Sequence, residues 1–522
     1  MTKQKGQGAE TRYVVWKPPV RLEFLALESL SIRPVQRSNT LSRMMRRSES
    51  PGPGRISPDP SFPLSSDPAS DAYYPVSFRT HGKHGASYTL YAATAEERAE
   101  WRRRLREALA ARRAAQEAGS IFRLETITRD TAESQEAPAH AEGLVTGRVT
   151  CTLPFGMSDG RHFVAIGSED GVWIGMPGRP ESIQRVMSLK LVTQIAFLAE
   201  YGLLIVLADK ILYAIDIESV IPSGGQTATQ PAFGLQTISN PHHPVHFFSV
   251  GRLGGRTLIT YKKRKGLDSV FRLLRVFRPV EPWAAQDPPK IEVDRVRHHP
   301  EFFLPSDAHD LLFLKSKVCI LCTRGFEIMD LSDFSSATIP LEEDLRRLGK
   351  RSSACRSIAM FRIREDEFLL CYDEFGLYVD KRGAPSRSPP TIEWEGVATE
   401  AAWHAPYVLL FCPSFVEVRH VESGRLAQII PGQDVRCLWD GRGVVHPPQA
   451  PEVAAFGDFD DPRTPRVHAV MDDSEISSFK NPAATRRQHV VELVPTERLI
   501  VPGARYSPSL LSVADTLPPY TP

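Results

Sequence analysis

The apolar positions of this chain follow two different periods, and the change between them divides it. Val76–Arg79 and Tyr88–Tyr91 alternate apolar with polar residues, and the turn-rich His81–Gly85 joins them, so the pair predicts two strands. Thr94, followed three residues later by Glu97, is a capping box that opens a helix over roughly 95–118. Trp101, Leu105 and Leu109 recur at steps of four and predict a buried stripe. Arg102, Arg103, Arg104, Arg106, Arg112 and Arg113 predict a basic opposite face. From about 144 to 445 the pattern is strands only. Phe163–Gly167 and Val172–Ile174 are followed by Thr193–Phe197, Leu203–Ala208 and Ile211–Asp216. The theme returns at Asp310–Leu314, Val318–Cys322 and Phe326–Asp330, and again at Ile358–Arg362, Glu367–Tyr372 and Phe375–Val379. A further copy is Ala401–His404, Tyr407–Phe411, Phe415–His420 and Leu426–Ile430. Tight turns at roughly 40–50-residue intervals match the period of a propeller blade, and about 300 residues at about 43 per copy give seven blades. The expected fold is mainly β: a seven-bladed β-propeller preceded by a partial β-sheet with a C-terminal helix.

The segments between these patterns differ in composition. Residues 31–72 are rich in Ser, Pro and Arg and are expected to be a disordered insertion, because they cannot bury enough apolar surface to offset their ordering entropy. Residues 119–143 are expected to be an interdomain linker, and 446–522 a proline-rich, largely disordered tail with one strand-like piece at His489–Pro495. Proline stands at 43 of 522 residues, above the usual share of about 5%, and is concentrated in these segments. Lys plus Arg total 64 against 62 for Asp plus Glu, a formal net charge of +2. That balance argues against a general nucleic-acid binder, which needs a concentrated basic excess. Seven cysteines, irregularly spaced and partly within apolar runs such as Val318–Cys322, suit a reducing cytosol. The N-terminus carries no apolar signal core, and the longest apolar runs fall far short of the roughly 18 residues of a membrane span. A cytoplasmic protein is expected.

Catalytic signatures are not found: there is no phosphate-cradling Gly-x4-Gly-Lys loop, no nucleophile elbow and no His-Glu-x-x-His helix. No cofactor or metal is expected. Cys319 and Cys322 lack a second pair at metal spacing, and on a strand their sulfurs face opposite ways. His242, His243, His246, His298 and His299 lack ligand partners and read as solvated loop residues; Gly251–Gly255 reads as a turn, and Glu342–Asp344 and Glu365–Glu367 as solvated turns. Two surface features are candidates for binding or regulation. Arg102, Arg103, Arg104 and Arg106 could attract anionic lipid, the alternative being an exposed helix face with i,i+4 partners such as Glu100–Arg104. Ser38, Ser48, Ser50 and Ser57, beside Arg or before Pro, are candidate phosphosites, the alternative being an ordinary Ser/Arg-rich linker.

Val164–Trp173, Val192–Ala196, Glu200–Ala214, Phe313–Cys319, Thr323–Met329, Glu367–Val379, Trp394–Gly396, Pro406–Phe411 and Phe415–Arg419 resemble, in order, a citron homology (CNH) domain over about 300 residues. The resemblance implies a β-propeller over 144–445. Tyr13–Leu25, the later strand pair and the Trp101 helix resemble the second half of a pleckstrin homology (PH) domain, here incomplete over 11–118. PH followed by CNH resembles the C-terminal part of fungal Rho-type guanine-nucleotide exchange factors. In that family the exchange is performed by a preceding helical Dbl homology domain, and no such run occurs here. The chain is therefore expected to be a truncated gene model, a fragment, or a divergent protein with the regulatory half only. The resemblance implies a non-catalytic interaction module of Rho-family GTPase signalling toward the cell wall and actin cortex. Its expected partner is a Rho-family GTPase or a signalling scaffold, with weak anionic membrane contact and no nucleic acid. The alternative is a CNH scaffold for membrane tethering or kinase signalling without a Rho connection.

Overall fold

A computed structural model describes residues 2–5, 11–14, 20–27, 35–36, 72–83, 85–129, 131–132, 144–157, 159–221, 235–265, 268–278, 289–293, 301–323, 325–347, 355–446, 466–472 and 487–496. Two units result, residues 1–119 and 120–522.

In the first unit Ala72–Thr80 is the central strand. Ser87–Ala92 pairs with it antiparallel, as do Leu25–Leu27 and Val35–Gln36. Val35–Gln36 thus forms strand within the expected disordered insertion, and 37–71 lies outside the described residues. Thr2–Lys5 pairs with Thr11–Val14. Helix α1, Ala95–Ala118, starts where the sequence places it. The Thr94 hydroxyl accepts from the Glu97 amide (3.0 Å), and the Glu97 carboxylate reaches back to the amide of Ala93 (3.0 Å).

The buried stripe of α1 is not the expected one. Trp101 is 54% exposed, and Arg98, Arg102, Leu105 and Leu109 are among the half-buried positions. At about 100° per residue, two steps of four rotate Trp101 about 80° away from Leu109, whereas alternating steps of four and three keep Arg98, Arg102, Leu105 and Leu109 on one face. Arg98 is accepted there because its guanidinium lies over the Tyr74 ring, 5.5 Å from its centroid.

The second unit contains, among the described residues, seven antiparallel sheets of four or more strands. Six are local meanders whose inner strands are Val149–Gly156, Val192–Leu198, Val245–Leu253, Ala308–Phe313, Ser357–Arg364 and Glu400–His404. The third holds the long hairpin Arg256–Lys265 and Asp268–Phe277, with Gly254–Gly255 as the preceding turn and Gly251 inside the strand. Gly251 is required there, because a Cβ would stand 2.3 Å from the Phe313 ring. The seventh sheet runs Arg436–Trp439, Val467–Asp472, Gln488–Pro495 and, outermost, Phe122–Thr128.

This last pairing corrects the expected boundaries. Phe122–Thr128 is strand within the expected linker and Val467–Asp472 strand within the expected loose tail, while the strand expected at His489–Pro495 is present as Gln488–Pro495. Phe122 faces Pro495 and Thr128 faces Val490, so the first and last described strands of the unit share one sheet. The sequence signal is weak because an outermost strand is open on both faces. Arg123 to Thr126 are all exposed and show no alternation.

Each sheet packs on the next, and the seventh on the first. Leu204, Val206 and Ala208 face sheet 1, while Leu203, Ile205 and Leu207 face sheet 3. With both faces covered, Leu203–Ala208 is six consecutive buried apolar residues, each side chain larger than Ala contributing about 1.5–3 kcal/mol. Phe361 stacks on Trp403 between sheets 5 and 6 (5.8 Å), and Val149, Ile166 and Trp173 of sheet 1 meet Ile127, Val470 and Val490 of sheet 7. A hydrogen bond crosses every junction beside the turn joining second and third strands. The amides of Leu191, Val245, Ala398 and Val435 donate to the carbonyls of Glu169, Lys210, Asp373 and Pro413 (2.7–3.1 Å). The Ala308 amide donates to the Ser269 hydroxyl (3.0 Å), the Ser357 hydroxyl to the Cys322 carbonyl (2.8 Å), and the Val149 amide to the Gln488 side-chain oxygen (3.0 Å).

Candidate functional site

Except where Val444–Val445 pairs with the inner strand of sheet 2, the inner strands of the seven sheets leave one edge unpaired among the described residues, and side chains from neighbouring strands satisfy much of it. The Thr150 hydroxyl donates to the Val192 carbonyl (2.6 Å), and the Gln194 side chain accepts from the Phe248 amide (2.9 Å). His309 Nε2 meets the Ser357 carbonyl (2.8 Å), Glu400 accepts from the Cys437 amide (2.8 Å), and Arg436 donates to the Val149 carbonyl (2.8 Å). Burial, followed by the nearby Arg356, lowers the pKa of His309. These groups are consumed in holding the wall together. Among the described residues no cluster of three or more His, Cys, Asp or Glu is arranged to hold a metal ion.

A polar cavity of about 500 Å³ opens between sheets 5 and 6, lined by Tyr378, Arg387, Trp394, Glu395, Arg419 and Glu422 among others. Arg387 lies over the Tyr378 ring (4.0 Å to the centroid) and forms a forked pair with Glu367 (2.6 and 2.7 Å). Hydrogen bonding to Arg387 holds the Glu367 carboxyl below its ordinary range. Arg419 pairs with the fully buried Glu417, whose other oxygen accepts from the amides of Glu395 and Gly396 (2.8 and 3.2 Å). Burial pushes Glu417 upward against the pull of Arg419. Both guanidinium groups are committed to carboxylates and carbonyls, so the cavity offers no free cation to an anionic ligand. The sequence carries a hint of this network: Glu417 and Arg419, two apart on one strand, point to one face.

On α1 the four candidate lipid contacts divide. Arg102 is half-buried rather than on the open face, and burial, followed by Arg106 and Arg98, lowers its pKa. Arg103 pairs with Glu100 and Glu107 (2.8 and 2.6 Å), and Arg104 with Glu100 (2.7 Å). The two arginines hold the Glu100 carboxyl down to about 2. Arg106 is exposed. Ser38, Ser48, Ser50 and Ser57 lie outside the described residues.

Comparison with known proteins gives this architecture a family. The CNH domain model matches residues 160–441, more than half of the chain. The chain belongs to the CNH family. A pleckstrin homology domain model matches residues 1–108, beginning upstream of Tyr13. The chain is 28% identical over 384 residues to Rho1 guanine nucleotide exchange factor 1 of Schizosaccharomyces pombe, covering 71% of this chain and 27% of that protein. Rho1 guanine nucleotide exchange factor 2 of the same organism is 27% identical over 435 residues, covering 82% of this chain and 35% of that protein. The chain thus spans about a third or less of these homologues. The solved AfRom2 CNH domain matches at 26% identity and a TM-score of 0.50, covering 66% of this chain and 94% of that one. The four-stranded sheets described above suit the propeller of a CNH domain.

Within the CNH domain, Cys319 packs between sheets 4 and 5 and Cys322 between sheets 3 and 4, on opposite faces of one strand. His242 and His243 are exposed, and His298 and His299 lie outside the described residues. Glu342–Arg347 is a short helix rather than a turn. No described helix is long and apolar enough to cross a membrane.

Proposed function

We propose that this chain is the regulatory, partner-binding region of a Rho-type guanine-nucleotide exchange factor, working in the cytoplasm at the cell cortex in cell-wall and actin control. The observation that carries this reading is the PH-then-CNH order shared, at 27–28% identity, with two Rho1 exchange factors. In this reading the seven sheets form one seven-bladed propeller, a rigid ring that makes and breaks no bonds. It presents a Rho-family GTPase or a signalling scaffold with the loops at its ends. The inner wall and the sheet 5–6 cavity favour this over catalysis, since charged groups of the wall bond to backbone amides and carbonyls and those of the cavity pair with one another. The PH domain contributes weak contact to anionic membrane through the exposed Arg103, Arg104 and Arg106, with the half-buried Arg102 behind them. Phosphorylation at Ser38, Ser48, Ser50 or Ser57 would add about −1.5 to −2 charges each and weaken that contact.

The test is capture of GDP-loaded, GTP-loaded and nucleotide-free Rho1 on the purified chain, alongside its cellular position. Binding to at least one Rho1 state and cortical enrichment are expected. Absence of binding to all three, with diffuse cellular signal, would overturn the proposal.

A further inference from the structure

The inner strand of sheet 7 does not turn directly into its neighbour. After Trp439 the chain makes a tight turn in which Asp440 accepts from the Arg442 amide (3.1 Å) and the Trp439 indole donates to the Arg442 carbonyl. Gly441 and Gly443 take φ of +97° and +94°, conformations that side-chain-bearing residues rarely adopt. Val444–Val445 then lies parallel to Phe197–Leu198, the end of the inner strand of sheet 2. The amide of Phe197 donates to the Gly443 carbonyl (2.7 Å) and that of Ala199 to the Val445 carbonyl (3.0 Å). Val445 is buried in the core between sheets 2 and 3, and Val444 packs on the core between sheets 1 and 2. Arg442 reaches Asp310 on the inner strand of sheet 4 (2.8 Å) while also holding Asp440 (2.6 Å). Sheets 7 and 4 are three steps apart one way round a cycle of seven and four the other, so this contact runs across the ring rather than round it.

We propose that Asp440–Val445 is an internal clasp, a second closure that ties sheet 7 to sheets 2 and 4 from inside the ring, independently of the outer pairing of Phe122–Thr128 with Gln488–Pro495. Each component has a separate physical role. The two glycines allow the reversal, the parallel bonds satisfy amides that the inner edge of sheet 2 would otherwise leave open, and the arginine anchors the far side. Two closures in parallel predict redundancy: loss of one leaves the ring shut, and loss of both opens it.

The full chain tests this by hydrogen exchange read by mass spectrometry. Gly443→Val places a Cβ 3.3 Å from Leu153 and 3.4 Å from the Ile195 carbonyl in a conformation valine resists. Exchange at Phe197 and Ala199 is expected to rise about tenfold or more, the loss of two hydrogen bonds. Arg442→Gln, which keeps the backbone path, is expected to give a smaller rise at the same amides and serves if Gly443→Val does not fold. Combined with Phe122→Ala, either substitution is expected to speed exchange across Val149–Gly156 and Arg436–Trp439 by roughly threefold or more beyond the product of the single effects. Unchanged exchange at Phe197 and Ala199 in both variants, or strictly multiplicative effects in the double variants, would overturn the clasp.

Discussion

Replacing Phe122 by alanine tests whether strand Phe122–Thr128 locks sheet 7 against sheet 6. Phe122 is 1% exposed, edge-on to His404 (5.2 Å) and to Tyr407 (6.3 Å), and sits in the core between sheets 6 and 7. Deleting a buried phenyl group of this kind costs about 3–5 kcal/mol. Gln428 of sheet 6 supports the same residue as a substitute strand. Its side-chain oxygen accepts from the amides of Ile121 and Phe122, and its nitrogen donates to the Phe122 carbonyl, all at 2.9 Å. Gln428→Ala removes three bonds and is expected to cost about 2–4 kcal/mol, since partly buried groups left unpaired cost about 1–3 kcal/mol each and solvent recovers part of that. The two sites touch, so the double variant should lose less than the sum. Urea unfolding of the full chain measures both losses, and trypsin cleavage at Arg123 and Arg129 reports the strand directly. A loss below about 1 kcal/mol for Phe122→Ala, with Arg123 cut no faster than in the parent, would mean that residues 119–143 behave as the linker that their composition suggests.

Three further outcomes follow from buried or unexpectedly open groups. His468 is buried against Thr152 (3.0 Å), and burial, aided by Arg466, lowers its pKa to about 3. A depressed folded value means that the unfolded chain takes the proton first, so stability is full above about pH 6.5 and falls as pH drops toward 3. The loss is about 1.4 kcal/mol per pH unit, or about 2 kcal/mol by pH 5. Urea midpoints between pH 7.5 and 5 should show this slope in the parent and a flatter one in His468→Gln. Arg419→Ala strands the fully buried Glu417 and is expected to cost about 3–5 kcal/mol, whereas Arg364→Ala, at an exposed pair with Glu422, should cost under about 1 kcal/mol; equal losses would show that the Glu417 network is not buried in solution. Trp101→Ala should change stability by no more than about 0.5 kcal/mol, and a loss of several kcal/mol would place this side chain in a core after all.

The legible parts of the fold are those in which local chemistry settles local structure. The capping box fixed the start of α1, and runs such as Leu203–Ala208 and Tyr407–Cys412 marked strands covered on both faces. Tight turns such as Asp373-Glu374 and Pro413-Ser414 separated them. What remained hidden depends on distant partners. Strand Phe122–Thr128 has no alternation of its own and acquires its identity from Gln488–Pro495 and Gln428. Trp101 was misplaced because a repeat of four drifts round a helix. Glu367, Arg387 and Glu422 form an ion-pair group only because one strand end and two connecting turns of adjoining sheets converge, and no spacing in the chain announces that.

The pairing of Phe122 with Pro495 also has a consequence for synthesis. The outermost strand of sheet 7 leaves the ribosome before any other strand of its unit, and its partner emerges among the last. At about 5–20 residues per second, the roughly 370 residues between them take roughly 20–75 s. During that interval Phe122 and Ile127, both buried in the finished molecule, have nowhere to dock. Until Gln488–Pro495 emerges the newborn chain therefore carries an unpaired, partly apolar edge, which makes this short stretch a natural hold for a chaperone and the first place where two nascent copies would trade strands.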